Sequence, residues 1–206
     1  MTEDRWPVTR ASMIQRLHDP EDHEAWQQVI EIYSPAVYEY CTSRGLQRED
    51  ALDVAQEVLT KLQAFQYDPA KGKFRAWLGT VTRNQVNLHW RKKGGQEQKL
   101  GEMPDPAVDT HLDWERISNA HILNSAIDRI RPEFSEPQWQ AFEQVALSIH
   151  DKGTTREFEW QTEATPAEVA SRLGQPVQWV YKTKSEMLKR LREEVVFLAE
   201  EMILFD

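Results

Sequence analysis

The chain has 206 residues, 40% of them hydrophobic, with eight tryptophans, one cysteine and a formal net charge of −9. That supplies one large or two modest apolar cores, and a lone Cys41 excludes an internal disulfide and any cysteine-rich zinc centre. No apolar run approaches the roughly 20 residues that span a bilayer, and MTEDRWPVTR lacks the apolar core of a signal peptide; the expectation is a cytoplasmic protein, in a reducing compartment and without membrane insertion.

Few glycines and no long β-branched runs favour helices. The expected fold class is all-α: two small helical domains joined by a flexible acidic linker, the C-terminal one a helix-turn-helix domain. In chain order, RASMIQRLHDP reads as a short helix ended by Pro20. A longer helix starts near Asp22, with Trp26, Val29, Ile30, Tyr33, Val37 and Tyr40 on one apolar stripe. Pro35 is a site for a kink, and Gly45 fits a C-cap. The next helix spans Glu49 to Phe65, with Leu52, Ala55, Val58, Leu59 and Leu62 facing inward. After the loop QYDPAKGK comes FRAWLGTVTRNQVNLHWRKK, a helix from Phe74 to Lys92 stopped by Gly94-Gly95.

That helix stands out in an acidic chain. Lys71, Lys73, Arg75, Arg83, Arg91, Lys92 and Lys93 follow one another with no carboxylate between them. Trp77, Leu78, Val81, Val86 and Leu88 can pack inward, leaving Arg75, Arg83, Asn84, Asn87, Trp90 and Arg91 outside. Rings beside cations suit single-stranded nucleic acid, because cations hold the backbone and flat rings stack on unpaired bases. Trp77 fits a core position; Trp90 fits a core or a stacking position equally well.

From Gly94 to Arg116 the balance reverses, with Glu97, Glu102, Asp105, Asp109, Asp113 and Glu115 against Lys99 and Arg116. Residues 95–116 read as a linker between a domain at 1–94 and one at 117–206. In the second domain, RISNAHILNSAIDRI and QWQAFEQVALSIH are helical, and DKGTTREFEWQTEA is a polar connection. TPAEVASRLGQPVQWVYKTKSEMLKRL then has the order of a helix-turn-helix. Thr165 caps, Pro166 opens the helix, Glu168 completes a capping box and Gly174 turns. Val169, Ala170 and Leu173, then Val177, Val180, Leu188 and Leu191, are the expected core. Gln178, Trp179, Tyr181, Lys182 and Lys184 face out, where they can reach base edges or phosphates. The tail VFLAEEMILFD can extend the last helix, cover the domain or meet a regulator.

Asp50 to Lys93 resembles the second conserved region of bacterial sigma factors, in the extracytoplasmic-function (ECF) group of the sigma-70 family. The resemblance rests on Asp50, Asp53, Gln56 and Glu57, on GKFRAWL, and on the Arg83-Asn84 pair, in that order. Thr165 to Arg192 then resembles the family's fourth region. Departures include Leu88 where many members carry a carboxylate, Thr183 and Glu186 in place of basic residues, and a long 148–164 segment.

The resemblance implies a transcription initiation factor that binds core RNA polymerase through its beta and beta-prime subunits, directs it to promoters and helps melt the minus-ten element. Asp50, Asp53, Gln56 and Glu57 would bind polymerase. Tyr67, Lys71, Lys73, Phe74, Arg75, Arg83, Asn84, Trp90, Arg91 and Lys92 would engage the minus-ten strand, and Gln178, Trp179, Tyr181, Lys182 and Lys184 the minus-thirty-five duplex. Promoter DNA and polymerase are the expected partners, with an anti-sigma factor or another regulator as a further class. A stand-alone helix-turn-helix regulator is the alternative, and it leaves the basic aromatic helix without a role. No enzyme is expected: the six histidines are scattered, and no nucleophile motif or phosphate-cradling glycine loop occurs. No cofactor or metal is expected either.

Overall fold

A computed structural model describes residues 13–17, 19, 21–63, 72–94, 110–151, 156–159 and 164–199. Their regular elements are helices apart from one antiparallel pair of strands, and the chain divides into two compact units, residues 1–121 and 122–206. Among the described residues no helix is long and apolar enough to cross a membrane.

The first unit holds α1 (Met13–Arg16), α2 (His23–Ser43), α3 (Arg48–Gln63), α4 (Phe74–Gly94) and the first half of α5 (Thr110–Ile130). Asp22 caps α2 by accepting from the Ala25 backbone N–H at 3.0 Å, and Arg16 donates to the same carboxylate at 2.8 Å. Helix α2 runs on through Pro35. Its buried line is Ala25, Val29, Ile32, Tyr33, Ala36, Val37, Tyr40 and Cys41. Ile30, expected on the apolar stripe, is therefore outside the buried line, and Trp26 is only half-buried. Burial pushes the Cys41 thiol up to about 12, which keeps it protonated and unreactive. Gly45 turns the chain into α3 with φ +81°, a conformation that side chains disfavour. On α3, Ala51, Val54, Ala55, Val58 and Leu62 are buried. Leu52, expected inside, is 52% exposed.

Two corrections concern α4 and α5. Phe74, Arg75, Leu78, Gly79, Thr82 and Val86 form the buried side of α4, while Leu88 is exposed and Trp77 and Val81 are half-buried. The stretch 110–116, expected as linker, is helical, and the unit it belongs to continues to His121. The reason is Trp114, 2% exposed, whose indole lies on the backbone of α4 at Gly79. A side chain there is impossible without movement, since a Cβ would stand 2.5–2.9 Å from the ring.

The second unit holds the remainder of α5, a 3₁₀ turn at Arg131–Glu133, α6 (Glu136–Val145), β1 (Ser148–Asp151), β2 (Arg156–Glu159), α7 (Pro166–Leu173) and α8 (Val177–Ala199). Trp139 and Phe142 meet edge to face in its core, and the Trp139 Nε1–H donates to the Arg131 carbonyl at 3.1 Å. The hairpin was not legible as strands. Its antiparallel register pairs Ser148 with Glu159 and Asp151 with Arg156.

Thr165 caps α7 as expected, its hydroxyl accepting from the Glu168 N–H while the Glu168 carboxylate accepts from the Thr165 N–H at 2.7 Å. Those bonds hold the Glu168 carboxyl below the usual carboxylate range. Thr165→Ala should therefore lower the denaturant midpoint of this unit by the equivalent of about 1 kcal/mol, with Thr165→Ser near neutral. An alanine variant as stable as the parent would show that the box contributes nothing. Gly174 takes φ +63° and turns the chain from α7 into α8. The buried line of α8 is Val180, Thr183, Met187, Leu191, Glu194, Val195 and Leu198. Val177 is exposed and Leu188 half-buried, so the stripe is rotated from the one expected. The tail as far as Ala199 continues α8. Its buried Glu194 is paired with Arg190 at 2.9 Å and Arg129 at 3.4 Å, which compensates the cost of desolvating the carboxylate.

Candidate functional site

Helix α4 has two opposed faces. Its buried residues back onto the core, and the opposite line is Lys73, Ala76, Thr80, Asn84, Asn87 and Arg91, all exposed. These positions recur at three- to four-residue intervals, so they share one side of the helix. The strip runs about 27 Å from Lys73 to Arg91, at a rise of about 1.5 Å per residue. It places a cation at each end and amide or hydroxyl groups between them. Small side chains at Ala76 and Thr80 leave the helix surface open to a ligand. Lys92 extends the positive end. Such a surface offers phosphate contacts at its ends and hydrogen bonds to base edges along its middle.

The expected minus-ten residues divide. Lys73, Asn84, Arg91 and Lys92 are exposed, and Arg83 is half-buried on the flank. Trp90 is half-buried: it lies beside Gly45, meets His89 edge to face at 5.7 Å, and its buried Nε1–H finds no acceptor among the described residues. Phe74 and Arg75 do not join this surface. Phe74 is 2% exposed and stacks edge to face on Tyr33 at 5.3 Å, because α4 needs an apolar anchor where it enters the core. Arg75 is 7% exposed and donates to the Ser118 hydroxyl at 2.9 Å and to the Asn119 amide oxygen. Tyr67 and Lys71 lie outside the described residues.

On α3 the expected polymerase-binding residues Asp53, Gln56 and Glu57 are exposed together with Glu49 and Thr60. Leu52 stands among them, an apolar residue in an acidic field that the helical pattern had assigned to the core. Asp50 is different. Its carboxylate bonds the Lys93 ammonium and lies 3.7 Å from the His89 imidazole, so it ties α3 to the end of α4. The hydrogen bond from Lys93, followed by that group's charge, holds the Asp50 carboxyl below the usual carboxylate range.

In the second unit, Gln178, Tyr181 and Lys182 are exposed, Tyr181 at 58%, and Trp179 is half-buried. Lys184 donates to the Val145 carbonyl at 2.9 Å, which commits it to the fold rather than to the outer face. Lys182 also has a carboxylate neighbour, Glu186, at 3.6 Å on the next turn. Among the described residues, no group of three or more His, Cys, Asp or Glu side chains could hold a metal ion.

The sequence reading missed Thr80 as part of the α4 strip and Leu52 as a surface residue. The spacing Ala76, Thr80, Asn84, Asn87, Arg91 carries the first, since five small or polar residues at helical intervals mark an outward face. No local signal carried the second.

Residues 29–96 match the family model for sigma-70 region 2, a segment that begins in α2 and contains all of α3 and α4. The match covers about a third of the chain. It supports a sigma-70 family factor, with the role in RNA polymerase binding and promoter melting that such a region implies. The family is one of transcription initiation factors, not of enzymes. Comparison with curated proteins and with solved structures gave no match.

Proposed function

We propose that the protein is a sigma factor of the ECF group, acting within RNA polymerase holoenzyme to select promoters and hold the melted minus-ten strand. In this reading Asp53, Gln56 and Glu57, with Leu52 beside them, bind core polymerase. Lys73, Asn84 and Arg91 on α4 engage the unpaired strand, flanked by Arg83, Trp90 and Lys92; Tyr67 and Lys71 join them on sequence resemblance alone. Helices α7 and α8 act as a helix-turn-helix on the minus-thirty-five duplex through Gln178, Trp179, Tyr181 and Lys182. The observation that carries the reading is the exposed polar strip of α4, bounded by cations, within the segment that matches sigma-70 region 2.

The energetics are consistent with melting without ATP. Unstacking costs a few kcal/mol per flipped base, and each base stacked on an aromatic side chain returns about 1–3 kcal/mol, before phosphate contacts are counted. The acidic total charge limits binding to DNA outside the holoenzyme. A stand-alone regulator is less well supported, because it assigns no role to the region 2 segment.

The test is transcription in vitro with core polymerase on a randomised promoter pool, sequencing what is enriched, followed by permanganate footprinting of the enriched promoter. Asn84→Ala with Arg91→Ala should lower open-complex formation roughly tenfold or more while leaving co-purification with core polymerase unchanged, since a base-edge contact is worth about 1–3 kcal/mol and loss of a phosphate contact weakens binding further. Undiminished strand opening would remove α4 from the DNA site.

A further inference from the structure

The buried side of α4 carries an arginine that the strand-gripping face does not use. Arg75 points away from the strip and into the first half of α5, where it donates to Ser118 and Asn119. One turn earlier in α5, the Trp114 Nε1–H donates to the Arg75 carbonyl at 3.0 Å. A carbonyl oxygen has two lone pairs, so this bond adds to the helix ladder rather than replacing it. The same indole rests on Gly79 with no side chain between ring and backbone, and meets Tyr40 edge to face at 5.9 Å. Arg44, itself stacked over Tyr40, bonds Asp113, and His121 meets Glu39 at 2.9 Å. Residues 113–121 are thus fastened to α2 and to the back of α4 at both ends and in the middle.

We propose that Arg75, Trp114, Ser118 and Asn119 are positioning residues for the strand-gripping face of α4: α5 sets the axial and rotational setting of that helix, and Arg75 directs its charge inward rather than to a phosphate. The proposal rests on the reading of α4 given above. Its physical content is that a ring seated on helix backbone has no flexible side chain to absorb a shift. Sliding α4 by one residue would bring a Cβ into the indole in place of Gly79, and turning it would break the bonds from Arg75 to α5. The exposed line Lys73, Thr80, Asn84, Asn87 and Arg91 is therefore presented in one setting.

Salt dependence separates a positioning arginine from a phosphate-binding one. A cation that neutralises a phosphate releases counterions, and removing it flattens the plot of log affinity against log salt by roughly 0.7–0.9. Full-length protein is assembled with core polymerase and titrated, over a range of salt, with fork-junction DNAs carrying randomised single-stranded tails. Arg91→Ala should flatten the slope by that amount. Arg75→Ala should weaken binding about tenfold with the parental slope, as expected for a residue that makes no phosphate contact. Trp114→Phe and Asn119→Leu, which change no charge, should weaken binding about threefold, again with the parental slope. Core polymerase affinity should be unchanged throughout.

An Arg75→Ala slope flattened like that of Arg91→Ala would overturn the proposal, because Arg75 would then be holding a phosphate. So would parental affinity in both Trp114→Phe and Asn119→Leu; these two variants decide the matter if Arg75→Ala does not fold. A proportionate fall in polymerase binding would mark a general loss of structure and also overturn it. A parental slope in Arg91→Ala, by contrast, would discredit the strand-binding reading of α4 itself.

Discussion

Trp114→Ala should destabilise the first unit by about 3–5 kcal/mol, the range for removing a large buried aromatic side chain, and lower its melting temperature by on the order of 10–20 °C. The indole is buried, donates one hydrogen bond to Arg75 and packs against Tyr40. Its removal opens a cavity between α4 and α5 that rigid helices fill only in part. Gly79 allows the same interface to be tested from the other side. In an exposed helix interior, glycine to alanine stabilises by up to about 1 kcal/mol. At Gly79 the added methyl would meet the Trp114 ring at under 3 Å, and overpacking of this kind costs about 1–3 kcal/mol. Gly79→Ala should therefore be destabilising, and in the Trp114→Ala background it should become neutral or stabilising. Calorimetry or circular dichroism of the full chain reads all three variants. A stabilising Gly79→Ala in the parent, or a silent Trp114→Ala, would show that α5 does not rest on α4.

The second large effect is expected at the polymerase-binding face. Asp53→Arg with Gln56→Ala should reduce affinity for core polymerase by about 100-fold, because charge reversal opposite a basic partner surface costs several kcal/mol. Both side chains are exposed on α3, and substitutions at such positions change stability by only about 0.5 kcal/mol. The folded protein should keep its melting temperature while failing to co-sediment with polymerase. Leu52→Ala provides an uncharged comparison. If Leu52 fills a pocket on the partner, its truncation should weaken binding about tenfold at a cost near 1.4 kcal/mol. Unchanged co-sedimentation of the double variant would remove α3 from the polymerase interface.

Much of the architecture was legible in the residues. The starts and ends of α2, α4 and α7 were marked by Asp22, Gly94 and the Thr165–Glu168 box, because caps act locally and leave a local signature. The cation-rich character of α4 was equally plain, since charge is additive along a sequence. Which side of each helix faces inward was harder. Leu52, Leu88 and Val177 read as core and are exposed, while Arg75 read as surface and is buried. In each case residue type and spacing defined a stripe only to within a residue or so, and a neighbouring element decided its rotation. The hairpin at 148–159 also escaped, because alternation over four residues on each side is too short to separate from an irregular polar connection.

By itself, then, the sequence determined a helical protein with one basic, aromatic helix in an acidic chain, and the sigma-70 region 2 pattern of residues 29–96. Only the tertiary structure decided that the first half of α5 belongs to the same unit as that helix and that Arg75 serves the joint between them. The physical reason is the nature of the contact. Trp114 is held by a glycine 35 positions earlier, whose contribution is the absence of a side chain, and an absence leaves no mark in hydrophobic periodicity.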